Sequence, residues 1–187
     1  AIGIVPGENA LDTKTSNTEV DPAQVTITNT QVWGFRGGLI SNMSVFNLKE
    51  NVQVNLNQVT VFDSEIAFRI RGRTDSRPRG AQVHIKNSVI YDVDTAIRYE
   101  DGIDQIYLDH LTFGRGINQL FQDVSERGSI EARNVLILGD SLPEQLGGQQ
   151  NPSQNEGNHL AVDSNCFQSS ETHNYRLIAG CIAIDSG

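Results

Sequence analysis

Apolar and polar residues alternate along three stretches that begin at Val25 (VTITNTQVWG), Val54 (VNLNQVTVFD) and Val83 (VHIKNSVIYD), 29 residues apart each time. Looser copies begin at Ile106 (IYLDHLTFGR) and Ile130 (IEARNVLILG), after steps of 23 and 24, and a sixth, worn copy is read from Leu160 (LAVDSNCF). Alternation of period two marks a strand with one buried face. A strand unit that recurs at a fixed interval predicts a solenoid. Its first inward column is Val25, Val54, Val83, Ile106 and Ile130; its second is Ile27, Leu56, Ile85, Leu108 and Ala132. A third apolar column follows at Val32, Val61, Ile90, Phe113 and Ile137. A helix of period 3.6 puts no such set on one face.

Between the second and third columns lies a polar one: Asn29, Gln58, Asn87, His110 and Asn134. Stacked amides inside a turn can satisfy inward-facing backbone groups and bond to the copies above and below. The simpler reading is that Asn marks a turn. The repetition favours the first, so Asn29, Asn87 and Asn134 are expected inside. A second strand follows each copy, with inward positions Leu11, Leu39, Phe68, Ile97 and Leu120. Before them stand Ala10, Gly38, Ala67, Ala96 and Gln119, small in four of the five.

Two strands per unit joined by tight bends resemble the right-handed parallel β-helix of pectate-lyase-like proteins, over roughly residues 8–140. The ending NYRLIAGCIAIDSG is similar to the "RL-x-x-GSPAIDAG" ending of many bacterial secreted β-helix proteins, with Cys181 in place of the usual Ser. ENALDTK, AFRIRGR and VIYDVDTAIRYEDGI, beginning at Glu8, Ala67 and Val89, resemble the same group. The resemblance implies an all-β chain: a right-handed parallel β-helix of about five to six rungs with an irregular C-terminal cap. Residues 1–140 would form the solenoid and 141–187 a polar loop and a cap packed on it. Glu8 to Lys14 already reads as a strand, with no polar cap before it. An exposed apolar rung is therefore expected near Ile2, Ile4 and Val5. It would meet a preceding segment of a longer protein or a second copy.

Composition narrows the function. Apolar content of 37% suits an interior one side chain wide, and no run of 18 apolar residues is present to span a membrane. A net charge of −9 argues against nucleic acid and anionic membranes. The two cysteines, Cys166 and Cys181, are expected to form a disulfide, which implies a secreted or cell-surface location; the alternative is two buried thiols. No CxxC, HExxH or EF-hand spacing is present.

Positive charge is local: five of eleven arginines lie between Arg69 and Arg79. If Leu11, Phe68 and Ile97 point inward, one outward column carries Asp12, Ile40, Arg69, Arg98 and Phe121. Beside it stand Lys14, Asn42, Arg71, Glu100 and Asp123. Rungs about 4.8 Å apart place Arg69 and Arg98 side by side. Two stacked guanidinium groups need a carboxylate or an anionic ligand between them; Glu100, Asp12 and Asp123 are candidates. The resemblance implies a polysaccharide lyase, in which a cation neutralises a uronate carboxylate and a base removes the C5 proton. Lys14, Arg69 and Arg98 are the candidate catalytic groups. Arg71, Arg73, Arg77, Arg79 and Glu100 are the candidate substrate contacts, the insertion at 72–82 walling the groove. Asp12, Asp101 and Asp104 are candidate ligands for Ca²⁺. The competing readings are an ion-pair ladder on an exposed face and, for the insertion, a plain surface loop. The functional expectation is an extracellular protein acting on an acidic polysaccharide. The alternative is a non-catalytic glycan-binding or structural surface module.

Overall fold

The repeated alternation becomes repeated strand pairing. The computed structural model describes residues 7–13, 21–38, 40–74, 79–100, 102–123, 130–146 and 158–184. In order the strands are β1 (Asn9–Asp12), β2 (Ala23–Phe35), β3 (Ser44–Leu48), β4 (Val52–Ile70), β5 (Ala81–Ile90) and β6 (Val93–Tyr99). They continue as β7 (Gln105–Phe113), β8 (Ile117–Asp123), β9 (Ile130–Leu138), β10 (Leu160–Val162), β11 (Phe167–Ser169) and β12 (Asn174–Leu177). The first ten form one large parallel sheet; β11 and β12 form a small antiparallel pair. The chain is therefore all-β and solenoid-like among the described residues. No helix there is long and apolar enough to cross a membrane.

The three apolar columns pair residue for residue as the spacing predicts. Val25, Val54, Val83, Ile106 and Ile130 are in register, as are Val32, Val61, Ile90, Phe113 and Ile137. Members in the middle of the stack are fully buried, whereas Val25, Ile27, Ile130 and Ala132 at its two ends are half-buried. Each interior residue is thus covered mainly by its neighbours one rung away.

The second-strand alignment needs correction in two places. Its true inward column is Leu11, Phe46, Phe68, Ile97 and Phe121. Leu39 lies outside the described residues, and Phe46 holds the place assigned to it. The cause is the segment 36–43, which separates β2 from β3, while β4 passes the same corner unbroken. The slip from Phe121 to Leu120 arises at Gly114–Arg115–Gly116, a corner one residue longer than the one at Tyr91–Asp92 above it.

The amide column is also corrected. Asn29, Gln58, Asn87, His110, Asn134 and Asn158 all adopt positive φ, between 48° and 57°. Asn29, Gln58, Asn87 and His110 are exposed, and Asn134 is half-buried. These residues turn the chain at a corner; Asn29, Gln58, Asn87 and His110 point outward, whereas Asn134 buries its Oδ1 and holds its Nδ2 3.3 Å from His110 Nε2 on the neighbouring strand. Asn recurs because its short polar side chain tolerates the left-handed conformation. A second corner repeats the device at Gly34, Asp63, Asp92 and Gly116. The backbone groups that corners leave unpaired are met instead by buried side chains of the next rung. Val59 N–H donates to Ser88 Oγ (3.0 Å), and Val135 N–H donates to His159 Nδ1 (3.3 Å). A real amide ladder lies elsewhere, on the outer face: Gln24 donates to Gln53 (2.5 Å) and Gln53 to Gln82 (2.8 Å).

The tail stays with the large parallel sheet. Leu160–Val162 pairs with Leu136–Leu138, so Leu160 matches the second half of a repeat and not its start. Cys166 and Cys181 form the expected disulfide, with Cα atoms 4.8 Å apart, in a small second core that includes Leu160, Val162 and Phe167. Ile2, Ile4 and Val5 lie outside the described residues.

Two measurements check these devices. Asn87→Val places a β-branched residue at φ 48° and should cost about 1–2 kcal/mol in urea unfolding, while Asn87→Gly should be close to neutral. His159 is 6% exposed, and burial lowers its pKa, so its folded form prefers the neutral ring that accepts from Val135. The unfolded chain then binds more protons as pH falls through about 6.5, and stability should decline there with acidification. His159→Gln should flatten that decline in melting curves taken between about pH 7.5 and 5.

Candidate functional site

The strands β3, β4, β6 and β8 present an outward column of Asn47, Arg69, Arg98 and Gln122, with Asp12 of β1 above. Arg69 and Arg98 are register neighbours, as the spacing predicts. The carboxylate between cations is Glu100, which follows β6. It accepts from Arg69 Nη2 at 3.1 Å and from Arg71 Nε at 3.0 Å. Arg98 reaches two rungs up and donates to Asn42 Oδ1 at 2.6 Å. Lys49, not Asn42, occupies the place beside Arg71, and it pairs with Asp12 at 2.8 Å. The side chain of Asp123 is outside the described set.

This face is not bare. Val45, Ala67 and Ala96, two residues before Asn47, Arg69 and Arg98 on their strands, are fully buried in the main hydrophobic cluster. Residues on either side of Leu39 bond to this part of the sheet. Arg36 Nη2 donates to the carbonyl oxygens of Ser64 (3.1 Å) and Asp92 (2.6 Å), and Met43 N–H donates to Glu65 (3.3 Å). At the opposite corner Asp104 accepts from Gly80 N–H (3.0 Å) and Arg73 (3.4 Å). The charged columns therefore run between two loops, one of which the sequence reading missed. Three of their atoms are buried without a hydrogen bond: Asn47 Oδ1, Arg69 Nε and Arg98 Nε. Buried unmet donors and acceptors on successive rungs leave local polar capacity unused.

Of the remaining candidates, Arg79 is exposed, whereas Lys14, Arg77 and Asp101 lie outside the described residues. Asp12 and Asp104 each answer to a cation of their own chain. Among the described residues no three His, Cys, Asp or Glu side chains are grouped to hold a metal ion, and Asp101, one of the three candidate calcium ligands, is not among them.

Other features were not anticipated. On the face formed by β5, β7 and β9, Asp109 accepts from His110 Nδ1 (2.7 Å) and Arg133 Nη2 (2.9 Å). The Arg133 hydrogen bond holds the Asp109 carboxyl below its ordinary range against the opposing effect of burial. Arg133 also lies 5.5 Å over the Tyr107 ring. On the next face Trp33, Phe62 and Tyr91 stack on successive rungs. The tail closes over it: Tyr175 lies against Gly114, where any Cβ would strike its ring, and accepts from Arg115 N–H at 2.9 Å. A cleft of about 370 Å³ opens beside this corner, with Arg115, Leu120, Ile137 and Asp140 among its walls. The 29-residue step that unites Trp33, Phe62 and Tyr91 was visible in the sequence, as was the Gln24, Gln53, Gln82 series. Both lie on the outward side of the repeated strands, whereas the outward columns read from the sequence belong to the strand that follows each of them.

The chain matches no family model, no curated protein and no solved structure.

Glu100→Gln tests the site geometry. Removing the shared carboxylate should lower stability by no more than about 1 kcal/mol, since the pair is partly exposed. It should also free Arg69 and Arg71, so retention on a polyuronate matrix should rise and become more salt-sensitive. Unchanged retention would show that these cations do not face a ligand.

Proposed function

We propose that this protein is a right-handed parallel β-helix of about five to six rungs, secreted or held at the cell surface, that binds acidic polysaccharide. The observation that carries the reading is the Arg69–Arg98 register pair, with Arg71 and Arg73 nearby between two loops. A uronate chain laid across the rungs meets one guanidinium after another about every 4.8 Å. Its carboxylates compete with Glu100 for Arg69 and Arg71. The Cys166–Cys181 disulfide supports an oxidising compartment.

Binding without chemistry is the preferred form. Arg69 and Arg71 are both engaged by Glu100, and Arg98 by Asn42, so none is poised as a base. A second reading, β-elimination by a lyase, draws on the same Arg69–Arg98 succession and would place Lys14, Arg69 or Arg98 at the proton. We also propose an association at the open upper edge. β1 and β2 have no strand above them among the described residues, and Val25 and Ile27 are half-buried there. A further chain segment or a second copy would complete the rung above Val25 and Ile27, on the face before the Asn29 corner.

Calorimetry with polygalacturonate and alginate tests the reading. Binding should weaken as salt rises, and Arg69→Ala and Arg98→Ala should each weaken it without unfolding the protein. Ultraviolet absorbance from an unsaturated uronate product would select the lyase. Failure of polygalacturonate, alginate and sulfated glycans alike to bind would leave the structural-module reading alone.

A further inference from the structure

We propose that the upper face of Trp33 is a stacking platform for a pyranose ring, at a subsite separate from the cationic face. Trp33, Phe62 and Tyr91 form one ladder, with centroids 5.3 and 4.9 Å apart and planes within 10° of each other. The ladder is closed at its lower end by the tail. The His173 imidazole lies 4.2 Å from Tyr91 at 15°, a ring that stacks by its face and keeps polar atoms at its edge. The upper end among the described residues is Trp33. It is 37% exposed, more than Phe62 or Tyr91, and among the described residues no ring lies on its other face. One end of the ladder thus shows in the chain itself what the other end accepts.

The chemistry selects a sugar. An indole face is electron-rich and attracts the C–H face of a pyranose, whose hydroxyl edge stays wet. Gln31, exposed on the same outward side two residues earlier, offers a donor and an acceptor to that edge. A stacked nucleobase is disfavoured by the net charge of −9. The inference rests on the glycan reading for its ligand class, but its attraction is dispersion and ring electrostatics, not ion pairing. Salt therefore separates the two.

Trp33 is the sole tryptophan, so the fluorescence of the intact protein reports this site directly. Cellohexaose, xylohexaose and hexagalacturonate are titrated at low salt and in about 1 M NaCl, where the screening length is about 3 Å. At least one should shift the emission saturably and protect it from acrylamide. That response should persist in high salt and in the Arg69→Ala, Arg98→Ala double variant. By calorimetry Trp33→Ala should weaken that oligosaccharide about tenfold and Trp33→Phe by less. Trp33→Phe alone decides the matter if Trp33→Ala does not fold. The proposal is overturned if acrylamide does not reach Trp33 in the free protein, because the chain then covers it. It is overturned equally if no oligosaccharide protects the indole, or if protection rises with protein concentration without sugar, which identifies a second copy as the occupant. Loss of salt-sensitive polyuronate binding with the Trp33 response intact removes the cationic-face reading alone; the reverse removes this one alone.

Discussion

Parallel strands keep register with the strand above when the segments between corners match in length and the corners turn the chain in the same sense. Here one left-handed residue does this at each of two corners, Asn29 through Asn158 at one and Gly34 through Gly116 at the other. Everything else follows from that constraint. The positive-φ corner repeated at Asn29, Gln58 and Asn87 keeps Val25, Val54 and Val83 in one column, and columns of apolar side chains then bury one another. The corners also create a difficulty, because a turned residue breaks the ladder of backbone hydrogen bonds. Ser88 and His159 repair that break from the rung below.

The same register explains why outward residues gather into columns of one chemical kind. Side chains on neighbouring rungs stand about 4.8 Å apart, close enough for rings to stack and for amides to bond. They are also close enough that like charges must be separated. Trp33, Phe62 and Tyr91 satisfy this by stacking, and Gln24, Gln53 and Gln82 by hydrogen bonding. Arg69 and Arg98 use Glu100 and Asn42. A solenoid therefore presents stripes, and stripes suit extended ligands better than compact ones. The two proposed subsites differ in kind, one cationic and one aromatic, because they lie on different faces of the same stack.

The inward columns were legible in the sequence because burial imposes a strict period of two, and β2, β4, β5, β7 and β9 obey it. The pair Arg69 and Arg98 was legible for the same reason. What failed was orientation at the corners. Spacing shows that Asn87 recurs but not which way its side chain points, since positive φ leaves no mark on periodicity. Alignment failed where a corner changed length, at 36–43 and at Gly114–Arg115–Gly116, because one inserted residue reverses the apparent face of a strand. The loop contacts of Arg36 and Asn42 were invisible for a different reason: they join residues 56 apart across two rungs, with no local pattern to announce them. The disulfide was legible because only two cysteines exist.

The central claim is in-register parallel stacking, and engineered cross-links test it most directly. Gln53 and Gln82 are register partners with both side chains outward, whereas Gln53 and His84 are two residues out of step. A parallel pair about 4.8 Å apart lies within disulfide reach, and a diagonal pair near 7–8 Å does not. The doubly substituted Gln53→Cys, Gln82→Cys protein should therefore cross-link on mild oxidation with its secondary structure intact. Gln53→Cys, His84→Cys should keep two free thiols. Preferential cross-linking of the diagonal pair, or of neither, would contradict the stacking from which the fold and both subsites are derived.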